Sequence, residues 1–396
     1  MEGLYETYKI QKERRLKVLE VLYNKSPISR IDIAKETGIT PATISDITGQ
    51  LIEEKLIHEL GEESDSNKSG RKKILLTISN QHSFYMGIEL SEKFFSFALC
   101  DNNGHLQEQK VIEPTRLEKN SLNDIFYQHF QDFLKQCSPY QPVALGIALP
   151  GHFQAELKKI QTNNPFWKDF SFDKVFELFN KPIYFSNNVE CLAISERLFN
   201  PRVKLENFSI LHVGRGMFCS SIYNGKLYGN ENILVGEVGH IVVHPDGELC
   251  ECGKRGCLQT YASEAWIIKK SEILYNNSET TYLRQLCPIN EKLSVDTILN
   301  AYQLGDEGVI NILHNAIKYL AITINNIAMM IDTHHIIIHG QLFDEPQLFT
   351  LLKEQVEKNI ILLSSVSKQK LSLKPYHPTN GAIAACGLCV EQTLLR

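Results

Sequence analysis

The chain has 396 residues and no run approaching the ~18 uninterrupted apolar residues of a membrane span. Its opening stretch, MEGLYETYKIQKERR, lacks the apolar segment of a secretory leader. An integral membrane protein is therefore excluded, no membrane partner is expected, and the expected location is cytoplasmic. Positive charge is not in excess either: 41 Lys+Arg stand against 46 Asp+Glu, a net of −5, so the molecule as a whole is not built to coat nucleic acid. A disordered composition is also missing, since 43 % of residues are hydrophobic and 22 % charged. At roughly 150 residues per domain, a chain of this length predicts two or three domains. Ten cysteines are present, but without a leader they give little reason for disulfides, so a tight group of them reads first as metal ligands.

Charge is unevenly spread. Residues 1–80 hold 13 Lys+Arg and 13 Asp+Glu, so the whole net charge lies in residues 81–396. A neutral head with basic clusters on an acidic body can meet DNA through the head alone. Within the head, Ile10, Leu16, Leu19 and Leu22 recur at helical spacing. Ser29 with Asp32 resembles a capping box for a second helix, with Ile31, Ile33 and Ala34 on its buried side and Gly38 as its left-handed stop. Thr40-Pro41 starts a third helix, because Thr caps well and Pro loses nothing at the first helical position. That helix buries Ile44, Ile47, Leu51 and Ile52. Its other face shows Ala42, Thr43, Ser45, Asp46 and Gln50, small and mostly uncharged residues of a kind that can approach base edges in a major groove. Strand-like Leu56–Leu60 and Lys73–Ile78 then flank a polar loop, and the returning Gly70-Arg71-Lys72 suits phosphate or minor-groove contact. The pattern predicts a winged helix-turn-helix over residues 1–80, with Thr40, Ala42, Thr43, Ser45, Asp46, Gln50, Arg71 and Lys72 facing double-stranded operator DNA.

The most specific local signal lies in the body. Gly236-Glu237-Val238-Gly239-His240 is followed by Cys250, Cys252 and Cys257, with Gly253 and Gly256 allowing tight turns between them. Three thiolates and one imidazole suit a closed tetrahedral Zn²⁺ site of structural type. His244 is the rival nitrogen ligand. Cys386 and Cys389 have redox-like spacing, but they fall in the apolar helical stretch 382–390 and read as core cysteines. Strand-like segments at 84–100, 142–149 and 209–213 alternate with helical ones at 122–137, 188–198 and 309–331, which favours a mixed α/β body.

The order of winged helix, Leu149-Pro150-Gly151, a paired Asn segment, GE-x-GH and C-x-C-G-x-x-G-C-L resembles the ROK family of sugar kinases and sugar-responsive repressors. The likeness runs from about Leu16 to Thr393 and is strongest to the family's xylose-repressor and N-acetylglucosamine-repressor members. It implies an actin-like (ribonuclease H-like) two-lobed sugar-kinase-type α/β domain over residues 81–396, binding a sugar or sugar phosphate in a cleft. The family's sugar contacts carry over as Asn163, Asn187, Asn188, Glu237, His240 and Gln259, with Gln259 replacing the family's Glu. His240 is implied to touch both zinc and sugar. A homodimer or tetramer is implied as the assembly on DNA.

A sugar kinase needs a base near the attacking hydroxyl and a backbone cradle for phosphates. The resemblance puts that base at Asn188, whose amide cannot take the proton. The first phosphate loop is Glu89-Leu90-Ser91-Glu92-Lys93, without the family's Gly and Thr and with an added carboxylate. The second is Gly214-Arg215-Gly216-Met217-Phe218-Cys219-Ser220, where side chains block a close approach. The expectation is a DNA-binding regulator of carbohydrate genes, a repressor with no enzymatic activity. An active kinase with an appended head is the alternative, and a dimer scaffold is a third.

Overall fold

The computed structural model describes residues 2–62, 73–113, 122–162, 164–200, 207–229, 232–359 and 369–396. They form two compact units, Met1–Leu205 with Pro378–Arg396, and Glu206–His377.

The first unit begins with the head. Helix α1 (Glu2–Lys25) buries Val18, Leu19 and Leu22, strand β1 (Ile28–Ser29) follows, and then come α2 (Arg30–Thr37) and α3 (Pro41–Glu53). Strands β2 (Ile57–Glu62) and β3 (Ile74–Ile78) form the hairpin, and β1 adds to β3 through Ile28 opposite Leu76. The expected caps are present. Ser29 accepts the Asp32 N–H, Gly38 is left-handed at φ 69°, and Thr40 accepts the Thr43 N–H ahead of Pro41. The buried side of α2 departs from expectation at Ile31, which is 55 % exposed while Ile33 is fully buried. Two positions along a helix are about 200° apart, so only one of the pair can face the core.

The rest of the first unit is a five-stranded sheet, in order β10-β7-β4-β5-β6. Its strands are β4 (Phe84–Leu90), β5 (Phe95–Asp101), β6 (Leu106–Ile112), β7 (Ala144–Leu149) and β10 (Ile183–Asn187). Helix α4 (Leu122–Cys137) packs an aromatic core of Phe126, Phe130 and Phe133 against Phe95, Phe97, Trp167 and Phe170. A small hairpin, β8 (His152–Gln154) with β9 (Lys159–Gln161), and the short α5 (Asp173–Leu178) complete that side. Helix α6 (Asn188–Phe199) and the C-terminal α13 (Asn380–Leu394) pack together, and α13 lies directly on the sheet. Two glycines make this approach possible: a Cβ on Gly87 or Gly146 would meet the Ala382 or Ala385 carbonyl at 1.9 or 2.1 Å. Cys386 and Cys389 sit in this contact, fully buried, and burial pushes both thiols up, which suits core residues.

The second unit repeats the plan in the order β13-β12-β11-β14-β15. Its strands are β11 (Phe208–Val213), β12 (Met217–Tyr223), β13 (Lys226–Leu227), β14 (His335–His339) and β15 (Lys370–Lys374). The helices are α7 (Gln259–Ala262), α8 (Glu264–Asn277), α9 (Leu283–Leu286), α10 (Val295–Gln303), α11 (Glu307–Met330) and α12 (Pro346–Lys358). Its core is mainly aliphatic, including Leu313, Ile317, Leu320 and Ile324 of α11 against Ile336 and Ile338. In each sheet the first strand in sequence is central, antiparallel to its hairpin partner and parallel to the fourth strand in sequence, the duplicated plan of an actin-like fold.

Candidate functional site

The head presents the face expected for DNA. Thr40, Ala42, Ser45, Asp46 and Gln50 are exposed and Thr43 is half-buried, while Ile44, Ile47, Thr48 and Leu51 are turned inward. Ile52, expected in the core, is only half-buried. Arg71 and Lys72 lie outside the described residues. Lys73 is engaged elsewhere, its ammonium 3.0 Å from Asp32 Oδ2, and the Ser29 hydroxyl together with Lys73 holds the Asp32 carboxyl below its ordinary value. Cross-links brace the helices: Arg15 Nη1 donates to Glu54 at 2.9 Å, and Arg30 Nε donates to Thr48 Oγ1 at 2.9 Å.

The head is also fastened to the sheet beneath it. The Tyr23 hydroxyl donates to the Asn102 carbonyl at 3.1 Å, and burial raises the Tyr23 hydroxyl well above its ordinary value. Fully buried Asn102 in turn clamps the segment leaving β3, donating to the Ser79 carbonyl and accepting the His82 N–H. Helix α1 packs on α6 as well. This tie between head and body is invisible in the sequence, because it depends on one tyrosine among fifteen.

In the second unit, His240, Cys250, Cys252 and Cys257 offer ligand atoms that all lie within 4.8 Å of one another. His240 Nδ1 is 3.6 Å from Cys250 Sγ, and Cys252 Sγ is 3.6 Å from Cys257 Sγ. A tetrahedral ion with ~2.3 Å bonds to sulfur keeps its ligands about 3.5–3.8 Å apart, so these two pairs already have that spacing and the donor set suits such an ion. Burial and the Lys254 ammonium hold His240 below its ordinary value, which favours the neutral, metal-binding imidazole. The turn is made by the Gly253 N–H donating to the Cys250 carbonyl, with Gly253 at φ 86°. Gly256, at φ 67°, passes so close to the His244 carbonyl that no Cβ fits. The rival His244 is outside the ligand group, its ring tilted against Tyr261. A cavity of about 310 Å³ borders the cluster, lined by Leu249, Cys250, Glu251, Ala265, Trp266 and Lys269, and contains none of the residues expected to hold a sugar.

The same loop carries the expected ligand residues. Glu237 is half-buried and immediately precedes the 3₁₀ turn Val238–His240, with the His240 N–H donating to its carbonyl. Gln259, buried as the first residue of α7, packs against Gly239. In the first unit Asn187 caps α6, its Oδ1 accepting the Val189 N–H while Glu190 returns the capping box. Half of its amide is thus committed to structure. Asn188, one residue on, turns its side chain onto Glu89. Asn163 lies outside the described residues, and its neighbour Asn164 donates to Glu92. Sequence reading missed the pairing of His212 and His339 at the strand ends of the second sheet, with Nδ1 atoms 2.9 Å apart.

Residues 85–391 match the ROK family, and residues 11–58 match a winged helix-turn-helix DNA-binding family. The chain belongs to the ROK family. It is 27 % identical to the xylose repressor of Bacillus subtilis over 90 % of this chain and 89 % of that one. It is 28 % identical to the DNA-binding transcriptional dual regulator NagC of Escherichia coli over 82 % and 79 %. Among solved structures, a ROK family transcriptional regulator, a homolog of the E. coli MLC protein, superposes with a TM-score of 0.76 at 22 % identity over 98 % of both chains. A ROK family glucokinase from Streptomyces griseus, in complex with glucose and AMPPNP, superposes with a TM-score of 0.66 at 18 % identity over 77 % of this chain and 99 % of that one. The fold is thus shared with kinases and regulators alike, so function has to be argued from residues.

Proposed function

We propose that this ROK protein is a DNA-binding repressor of carbohydrate-utilisation genes that releases its operator when a sugar binds its body. The observation that carries the reading is the head: an exposed polar α3 face beside a hairpin, in the same compact unit as Asn187 and Asn188 and tied to it through Tyr23 and Asn102. Likeness to a named xylose repressor over nine-tenths of the chain supports it. The domain boundary falls near residue 80, where Asn102 grips the connecting segment.

The sugar's hydroxyls are held by Asn163, Asn187, Asn188, Glu237, His240 and Gln259. Amides and carboxylates of this kind accept and donate to vicinal hydroxyls. Zn²⁺ on His240, Cys250, Cys252 and Cys257 braces the loop that carries Glu237; when bound it supplies structure and no open coordination position. Asn188 stands where the family's kinases keep their base, and an amide cannot accept the hydroxyl proton, so no phosphoryl transfer is expected. A dimer presents two α3 helices to a pseudo-palindromic operator. Tenfold release of DNA requires the sugar to favour the released state by about 1.4 kcal/mol.

The test is a thermal-shift panel of xylose, glucose and N-acetylglucosamine on the purified chain, with hits repeated as release of labelled duplex from its own promoter region. A shift of several degrees together with DNA release is the expected result. Turnover of ATP with any of these sugars favours the kinase, and stabilisation by none of them favours a scaffold.

A further inference from the structure

We propose that the sugar recognised here carries no phosphate ester, because the chain sets its own carboxylate, Glu89, at the place where such an anion would be drawn. The inference rests on the sugar-sensing reading above and assigns the ligand's class within it. Glu89 is the penultimate residue of β4, half-buried at the strand's end. Its carboxylate accepts the Gly381 N–H and takes the Asn188 side chain, with the Ser96 hydroxyl beside it. The fit at Gly381 is close, since a Cβ there would come within 2.1–2.4 Å of Cδ and both oxygens of Glu89.

Both partners sit at helix starts. Gly381 is in the first turn of the 15-residue α13, and Asn188 is the first residue of the 12-residue α6. Unpaired N–H groups and the helix dipole make such ends attractive to anions. Here that attraction is already answered by Glu89. The following turn adds the Glu92 carboxylate, joined to the Asn164 amide, against the single ammonium of Lys93.

Any ligand group within hydrogen-bond reach of the Asn188 amide is also close to Glu89. A sugar hydroxyl can donate to that carboxylate or accept from its acid form. A phosphate dianion has acceptors only, so beside an ionised Glu89 it brings repulsion without a hydrogen bond. Burial lifts Glu89 to about 7, so above that pH, where the group is ionised, an ester seated there would have to bring a proton with it.

Titration calorimetry on the full chain at pH 8 tests the inference with three pairs: xylose and xylose 5-phosphate, glucose and glucose 6-phosphate, N-acetylglucosamine and its 6-phosphate. The neutral member of the bound pair is expected to bind at least 100-fold more tightly than its ester, and Glu89→Gln should shrink that gap at least tenfold. Should Glu89→Gln fail to fold, Glu92→Gln is read instead and should shrink the gap about threefold. An ester that binds as well as its sugar overturns the inference while leaving sugar sensing intact, and so does a gap that the variant leaves unchanged. If neither member of any pair binds, the sugar-sensing reading itself falls, and this inference with it.

Discussion

β4 and β11 hold the same place in two sheets of one strand order, and each has a titratable side chain one residue before its end, Glu89 in the first unit and His212 in the second. Around Glu89 the chain gathers two helix starts, and burial raises the carboxyl to about 7. Around His212 it gathers a second imidazole, His339, which burial, His212 and Lys374 together push well below the ordinary histidine range. Identical backbone plans thus end in corners of opposite character, one a reluctant acid and the other a reluctant base. Strand topology fixes where the corner is, and one residue in each fixes its chemistry.

The largest expected contrast between the units concerns metal. Among the described residues the four-ligand cluster lies wholly in the second unit. Chelation, or Cys252→Ser, should therefore remove bound zinc and cost that unit more than about 4 kcal/mol, while the first unit's melting transition stays in place. Calorimetry with metal analysis checks this, and full zinc retention in Cys252→Ser would remove the assignment.

Next is pH. Because the folded-state pKa of Glu89 is raised, folding holds its proton; that stability is fully present below the ordinary carboxyl value of 4.5 and is lost as pH rises towards about 7. The loss should reach about 1–3 kcal/mol between pH 5 and pH 7.5, with allowance for solvent at a half-buried group, and Glu89→Gln should flatten it. His339 carries the opposite sign. It is held neutral when folded and must charge on unfolding, so its contribution is present above the ordinary value of 6.5 and lost as pH falls. His339→Asn should flatten the acid side alone. Denaturant midpoints of both variants across pH read the two slopes separately, and slopes of the same sign would break the contrast.

A smaller effect probes packing in the first corner. Gly381→Ala should cost about 1–3 kcal/mol, because its methyl meets the Glu89 carboxyl, and Glu89→Ala in the same chain should recover part of that cost. Additive losses would mean that the two residues do not press on each other. Smallest is Tyr23→Phe, which deletes one hydrogen bond between head and sheet and should cost about 1 kcal/mol by equilibrium unfolding.

Much of this was legible beforehand wherever information is local. Helix α4 spans the expected residues 122–137, the N-caps of α2 and α3 were readable from Ser29, Thr40 and Pro41, and the gathering of His240 with Cys250, Cys252 and Cys257 was readable from their spacing. The misses have a common cause. Strand β1 is two residues long and is a strand only because β3 lies beside it. Ile31 is apolar, and only the position of its helix decides that it faces solvent. Asn187 resembles a ligand and a cap equally in sequence, and the capping bond appears only once α6 is built. Glu89 with Gly381 and His212 with His339 are pairs far apart in the chain that converge where strands end, which no local pattern encodes.

The central claim is that this body senses sugar and reports to DNA without phosphorylating anything. It is tested most directly in one cuvette, by following anisotropy of labelled promoter duplex bound to the full chain, with ATP and Mg²⁺ present, while the bound sugar is titrated and ADP is monitored. The account predicts that the duplex is released in step with sugar occupancy and that ADP stays at background. Steady ADP production on sugar addition, or a chain that never holds the duplex at low salt, would contradict it.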